Sequence, residues 1–521
     1  MPTAHGLNPH TQLPDRGSLL APVLAPLEGG KRMDIIIGGF DGFVYAWRPD
    51  GKAVPGWPVE VKLPQADFAR DGVDPKSYER DAKLMYPVAV ADVLHTGRPQ
   101  VFVPSFECNG ASTSTENLGQ SLIGVQPSGS DVAKTWMYGI WSNGNRHTGG
   151  PYLPNWPAAV KTGAFCYDQS IDFVGESSSP AVISDFDGSG KLRVITGGVT
   201  GPVDIFRGDG SLERTLDASC KSSDCSANPP YRPSGDTHTI TLTGQAVLGD
   251  LTGSGHPNLV QSQTGIETIE AALQVPGQAS VPQVYEKAWN LSDGSVLSGF
   301  PRRQDGFPFY ESPIVASFGG SSARQAVEGN DNYFIHAYDP AGGEAPGFPK
   351  YTGQWIGFSG AVADPSMNGK LRYATVTREG YVYVWSVGGD PQKNDSWWHY
   401  RHDEHNTGLY GMDTRRPAAI ASLKARKVRH TLTLRFTAPG DDFMIGRATQ
   451  YIVRWSRRPL TDANFRRRGH LLKRVARPAP GGTKQTLTLH GLPTGRIYLA
   501  IRTIDDAGNI SALGRTIRAG H

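Results

Sequence analysis

The strongest constraint on this chain is a phrase that recurs six times: a short run of small apolar residues, closed in four copies by an aspartate. The copies begin at Ala21, Tyr86, Ser179, Gly244, Ser312 and Ser359, about 50 to 90 residues apart. A second apolar run follows a Gly-rich turn, as in Asp34-Ile-Ile-Ile-Gly-Gly39 and Arg193-Val-Ile-Thr-Gly-Gly198. A third carries aromatics at alternate positions, as in Gly42-Phe-Val-Tyr-Ala-Trp47 and Tyr381-Val-Tyr-Val-Trp385, and several copies end at Asp-Gly. That dipeptide signals a hairpin, because such turns require φ > 0. A fourth is marked by an aromatic before proline: Trp57-Pro58, Trp156-Pro157, Phe300-Pro301 and Phe348-Pro349. Proline there suits an outer edge strand, where no ladder donor is needed.

Four short strands per unit and six units are the arithmetic of an all-β chain built as a β-propeller. One four-stranded unit cannot bury both of its faces, so neighbours must stack and the ring must close. Small residues in the first strand fit a crowded axis, and bulk in the third fits the space between blades. Six copies count out, and the long 93–178 stretch has room for a seventh. The 63 glycines and 39 prolines among 521 residues fit many tight turns and exclude a helical bundle. No apolar run reaches the roughly 18 residues of a membrane span. Met1–Gly17 has no basic-then-apolar export pattern, so any export signal is expected to lie outside this chain.

These repeats resemble the FG-GAP/VCBS-type propeller repeats of secreted bacterial proteins, and are similar in look to integrin α-chain propellers. Trp397-Trp-His-Tyr-Arg-His-Asp-Glu-His-Asn-Thr-Gly408 resembles a segment often found at the edge of such propellers. In FG-GAP repeats the loop between the first two strands often reads Asp-x-Asp-x-Asp-Gly and cages calcium with alternate oxygens. The best match here is Asp185-Phe-Asp187-Gly-Ser189, the Ca2+ candidate, but its ninth position is Arg193, which would repel the ion. The loops at Asp92, Asp250 and Asp364 keep one carboxylate each. The rival reading of all four is that aspartate caps a tight turn by accepting backbone N–H groups.

A change of charge marks a second unit. From Met412 onward the chain holds 22 Lys and Arg against six acids, whereas residues 1–411 hold 30 against 43. Runs such as Thr431–Phe436, Gln450–Trp455, Gln485–Leu489 and Ile497–Thr503 alternate with polar turns at the spacing of a β-sandwich. With Leu492-Pro-Thr-Gly-Arg-Ile-Tyr498 and Asp505-Asp-Ala-Gly-Asn-Ile-Ser511, the segment resembles a bacterial fibronectin type III domain, in which Tyr498 would be a core and corner residue. The expected division is an N-terminal extension (1–18), a propeller (19–407), a linker (408–416) and this sandwich (417–521). Arg457, Arg458, Arg466, Arg467, Arg468, Lys473, Arg474 and Arg477 crowd one stretch of it. Such a patch attracts anionic polymers in a salt-dependent way, or is simply a solvated face. Nucleic acid is not expected, because no base-stacking platform or recognition helix accompanies the charge.

Four cysteines lie in polar stretches of the acidic part. Cys220 and Cys225 could close a small disulfide loop, and Cys108 and Cys166 could pair if their loops meet. An even count favours disulfides and an oxidising compartment over free thiols or zinc. HExxH, a phosphate-cradling GxxxxGK[ST] and a GxSxG elbow are all missing. His402-Asp-Glu-His405 has a metal-like composition, but Trp397, Trp398 and Tyr400 beside it point to packing. The expectation is a secreted or cell-surface protein, non-enzymatic, that binds a surface glycan or a protein through propeller loops. The alternative is a carbohydrate-active enzyme, a lyase or glycosidase, with carboxylates at the channel mouth. A third reading is a scaffold within a larger assembly or a piece of a longer exported protein.

Overall fold

The computed structural model describes residues 18, 21–39, 41–68, 87–107, 134–160, 179–197, 203–216, 241–265, 284–308, 311–318, 323–365, 370–389, 391 and 396–520. All four cysteines lie outside these residues, and so do the proposed pairings. The described chain is almost wholly β, and none of its helices is long and apolar enough to cross a membrane. It divides into two compact units, the first reaching Met412 and the second running from Asp413 to His521.

The first unit contains six antiparallel sheets in chain order. The first is Val23–Ala25, Asp34–Gly38, Phe43–Trp47 and Val59–Glu60, paired in that order. The second repeats the pattern with Ala89–Ala91, Gln100–Glu107, Lys134–Ile140 and Ala158–Val160. All described strands between 93 and 178 therefore belong to this one sheet. The third, fifth and sixth sheets open with Val182–Ser184, Ile314–Ala316 and Ala361–Ala363, while in the fourth Thr241–Thr243 and Val247–Gly249 both pair with Asn258–Gly265. In the first, second, fourth and fifth sheets the aromatic–proline bond is cis, and the outer strand begins within two residues of that proline.

Alternation along the strands stacks consecutive sheets on one another. In Gln100–Glu107, Val101 and Val103 pack with Ile36 and Val44 of the first sheet. Phe102, between them, packs with Ile183, Val194 and Phe206 of the third. Ile195 and Ile205 likewise meet Val247, Leu259 and Trp289, and Ile314 and Val327 meet Val362 and Tyr373. Burying each such side chain contributes roughly 1.5–3 kcal/mol, and a side chain inside each sheet can do so only because another sheet covers it. The first strands must be small because they crowd together. A Cβ on Gly249 would lie 2.4 Å from Val315 of the next first strand.

The segment from Trp397 to Tyr410 runs along these first strands. In five sheets the middle residue of the first strand donates its backbone N–H to it. Val315 bonds Trp397 O and Val362 bonds Trp398 O, each at 2.9 Å. Leu24 bonds His405 O at 2.9 Å, Val90 bonds Thr407 O at 3.0 Å, and Ile183 bonds Gly408 O at 2.8 Å. Along the segment, therefore, the partners are the fifth, sixth, first, second and third sheets.

The second unit is two facing sheets. One pairs Leu423–Val428, Thr431–Thr437 and Lys484–Leu489, and the other pairs His470–Leu471, Gln450–Ser456, Ile497–Ile504 and Ile517–Ala519. Leu432, Leu434, Phe436 and Leu487 of one sheet meet Val453, Leu499 and Ile501 of the other. The tyrosine taken into this core is Tyr451, whose hydroxyl donates to Gln485 Oε1 at 2.7 Å. Tyr498 is half-buried instead, because it alternates with Ile497 and Leu499, which face inward.

Candidate functional site

The calcium candidate is closed by its own chain. The Arg193 guanidinium donates to Asp187 Oδ1 (2.8 Å) and Oδ2 (2.6 Å), to Ser189 Oγ (3.0 Å) and to Lys191 O (2.7 Å). Its Nε reaches Glu213 at 3.2 Å, and the group lies 4.8 Å above the Phe186 ring. The oxygens that alternate along the loop thus converge on a cation supplied by the ninth position. That hydrogen-bonded guanidinium holds the Asp187 carboxyl well below its usual range. Asp185 caps the turn by accepting Gly190 N–H at 2.8 Å. The loops at Asp92 and Asp250 repeat the cap, and residues 366–369 of the Asp364 loop lie outside the described residues. Asp92 accepts Thr96 and Gly97 N–H and the Gln100 amide, and Asp250 accepts Ser254 and Gly255 N–H with Arg324 beside it at 3.4 Å.

His402 is held by packing and backbone. Its ring stacks between Trp397 and Tyr410, its Nδ1 lies 2.8 Å from Ser396 O, and its Nε2 accepts Gly411 N–H at 3.1 Å. Asp403 accepts Thr407 and His405 N–H. Arg401, 1% exposed, donates to Val88 O at 3.1 Å.

A carboxylate cluster that the sequence reading did not single out lies between the fourth and fifth sheets. Glu286, Glu311 and Glu328 are all at most 1% exposed. Glu286 faces Ser262 across its ladder, and Glu328 faces His336 across the next. Glu328 Oε2 accepts the Ser262 hydroxyl and, at 2.8 Å, the Gln304 amide, while Glu311 Oε2 accepts Gly329 N–H at 2.9 Å. Burial, reinforced by neighbouring carboxyls, pushes Glu286 and Glu311 well above the usual range. Burial also raises Glu328 to about 7, although Ser262, Gln304 and His336 pull it back. Burial alone would favour a neutral His336 ring. Hydrogen bonds to Asp305 and Glu344, each at 3.1 Å, overcome it and raise His336 to about 9. These acids are enclosed, so they form an interior polar network with no surface for a substrate to reach.

An open concavity does exist between the first two sheets. It measures about 1050 Å³ and is walled by residues 58–68 on one side and 141–156 on the other. Three docking contacts build it. Trp57 Nε1 donates to Ser142 O (3.0 Å), Asn145 Nδ2 donates to Pro58 O (2.9 Å), and Tyr152 Oη lies 2.9 and 3.0 Å from Glu60 O and Lys62 O. Gly56 permits this approach, since a Cβ there would lie 2.0 Å from Asn143 O. Trp141, Tyr152 and Phe68 present half-buried aromatic surface, and the His147 ring stacks on Trp141 at 4.3 Å. Gln65, Asn145 and Thr148 add exposed amide and hydroxyl groups. Among the described residues the one acid in the lining, Glu60, is paired with Lys62. Aromatic faces beside amides and hydroxyls suit stacking and hydrogen bonding, and the described lining residues include no pair of carboxylates for acid–base work.

No protein-family model matches this chain, and no curated protein matches it. Among solved structures, BBS1N in complex with ARL6DN is similar at 12% identity and a TM-score of 0.34, over 80% of this chain and 88% of that one. Rhamnogalacturonan lyase YesW is similar at 13% identity and a TM-score of 0.36, over 95% of this chain and 82% of that one. Likeness at this level carries no information about ligand or activity.

Proposed function

We propose that this is a secreted or cell-surface binding protein, not an enzyme, that takes a surface glycan in the cleft between its first two sheets. The observation that carries this reading is the described lining: half-buried Trp141, Tyr152 and Phe68 beside exposed amide and hydroxyl groups, with Glu60, the one acid among those described residues, paired with Lys62. Sugar rings stack their C–H faces on aromatic surface and exchange hydroxyl bonds with such groups. The six sheets close into an FG-GAP-like propeller around the Trp397–Tyr410 segment. Support comes from the order of its partners, which passes directly from the sixth sheet to the first.

The lyase or glycosidase reading needs carboxylates at an open channel mouth. Against it stand the segment lying along the first strands and the enclosure of Glu286, Glu311 and Glu328. The Asp185–Ser189 loop is read as self-neutralised by Arg193 and in no need of calcium. The second unit is read as a fibronectin type III-like spacer whose eight exposed Arg and Lys between 457 and 477 favour anionic polymers.

The test is a glycan array probed with the full chain, followed by calorimetry on any oligosaccharide retained. Trp141→Ala is expected to weaken binding at least tenfold with the unfolding transition unchanged. Binding that survives this substitution, an array that retains nothing, or turnover of any polysaccharide would each overturn the proposal.

A further inference from the structure

The second unit carries 22 Lys and Arg and only six acids, yet five of those acids gather in one place. Asp413, Asp441, Asp442, Asp505 and Asp506 come from three separate stretches of chain. The sixth, Asp462, pairs with Arg502 elsewhere. An oxygen from each of Asp413, Asp505 and Asp506 lies within 4.8 Å of the others. Among the described residues one ion pair answers the five, Arg415 with Asp442 at 3.3 Å. In a unit so rich in cations, acids placed by chance would be met by arginine, so this concentration of like charge needs another counter-ion.

A second observation points to that ion. Asp505 is 2% exposed, and its Oδ1 accepts Asn509 N–H at 2.6 Å. Its Oδ2 is buried and has no hydrogen-bond partner. A buried carboxylate oxygen without a partner is costly unless a cation meets it. The Asn509 amide also donates to Asp413 O at 3.1 Å and lies 3.4 Å from Asp413 Oδ2, which fixes that carboxylate beside Asp505. Burial, then the charges of Asp413 and Asp441 against the Asn509 bonds, leaves Asp505 raised to about 6.

We infer that Asp413, Asp505 and Asp506 form a site for a hard divalent cation, with Asp441 and Asp442 adding to its negative field. All the ligand atoms are oxygens, with no imidazole or thiolate among them, so the set selects Ca2+ or a similar hard ion over zinc. Asp505 supplies the buried anchor, and exposed Asp506 leaves the ion a path to solvent.

The experiment is calorimetric titration of CaCl2 into the full chain after chelator treatment, with the unfolding temperature followed in parallel. The expected result is one saturable site in the range of about 10⁻⁴–10⁻³ M typical of extracellular modules, with a rise in unfolding temperature. Asp505→Asn should weaken binding at least tenfold. Asp506→Asn changes an exposed residue in a fold that stays intact, and should also weaken binding. Asp187→Asn, in the arginine-filled loop, should leave it unchanged. Absence of saturation at 10 mM, or binding indifferent to both Asp505→Asn and Asp506→Asn, would overturn the inference.

Discussion

Arg193 replaced by alanine offers the sharpest test of how the acidic loops are held. The side chain is 9% exposed and makes four charge-assisted bonds to Asp187, Lys191 and Glu213 and a fifth to Ser189. Each such bond contributes up to about 1.5–3 kcal/mol, but the values do not add. The two carboxylates are 34% and 20% exposed, so water recovers part of their loss once the guanidinium is gone. The net cost of Arg193→Ala should be about 2–4 kcal/mol, below the figure for a fully buried pair. Arg193→Lys keeps the charge, loses the bidentate fork, and should cost about half as much. Denaturant unfolding of both variants at pH 7, followed by tryptophan fluorescence, measures this. The acid dependence has a definite sign. The Asp187 carboxyl is depressed below its ordinary 3.8, so its contribution is complete above that value and is lost as pH falls beneath it. The gap between Arg193→Ala and the parent should therefore narrow toward pH 3. A cost under about 0.5 kcal/mol at pH 7, or a gap that does not narrow in acid, would show that the guanidinium is not the loop's cation.

Two further outcomes follow from the interior. His336 is raised to about 9 from 6.5, so its ion pairs with Asp305 and Glu344 stabilise fully below 6.5 and are lost as pH rises through 9. Glu328, raised to about 7 from 4.5, acts in the same direction at lower pH, so unfolding midpoints should fall steadily from pH 5 to 9.5. His336→Gln should flatten the upper half of that decline, and an identical slope in the variant would refute the assignment. Gly299→Ala would place a Cβ 2.1 Å from the Ala341 backbone where two sheets meet, and should cost on the order of 3 kcal/mol. A neutral thermal shift would mean that the sheets approach less closely than described.

The repeat was legible because each copy needs the same residues for the same reasons. First strands stay small against their neighbours, and an aromatic–proline step precedes the outer strand. The strand Lys134–Ile140 escaped notice because it begins after a long insertion and ends in Gly139-Ile140 without an Asp-Gly turn. The cleft escaped with it, since Trp141, His147 and Tyr152 follow that strand directly. Glu286, Glu311 and Glu328 were invisible for another reason. In a half-exposed sheet an isolated glutamate reads as solvent-facing, and only the covering of both faces by adjacent sheets makes it interior. The acidic site of the second unit gave a single signal, the scarcity of acids there, because its acids sit in three stretches that lie 28 and 63 residues apart along the chain. Tyr498 was misplaced by one step of alternation, since Ile497 and Leu499 already occupy the inward positions.

The drawstring formed by Trp397–Tyr410 also has a bearing on biogenesis. Five first strands present unsatisfied inner N–H groups until that stretch, which follows all six sheets along the chain, has been made. Such bare rims are templates for wrong pairing between nascent chains. A chain cut short before Trp397 should therefore yield aggregates.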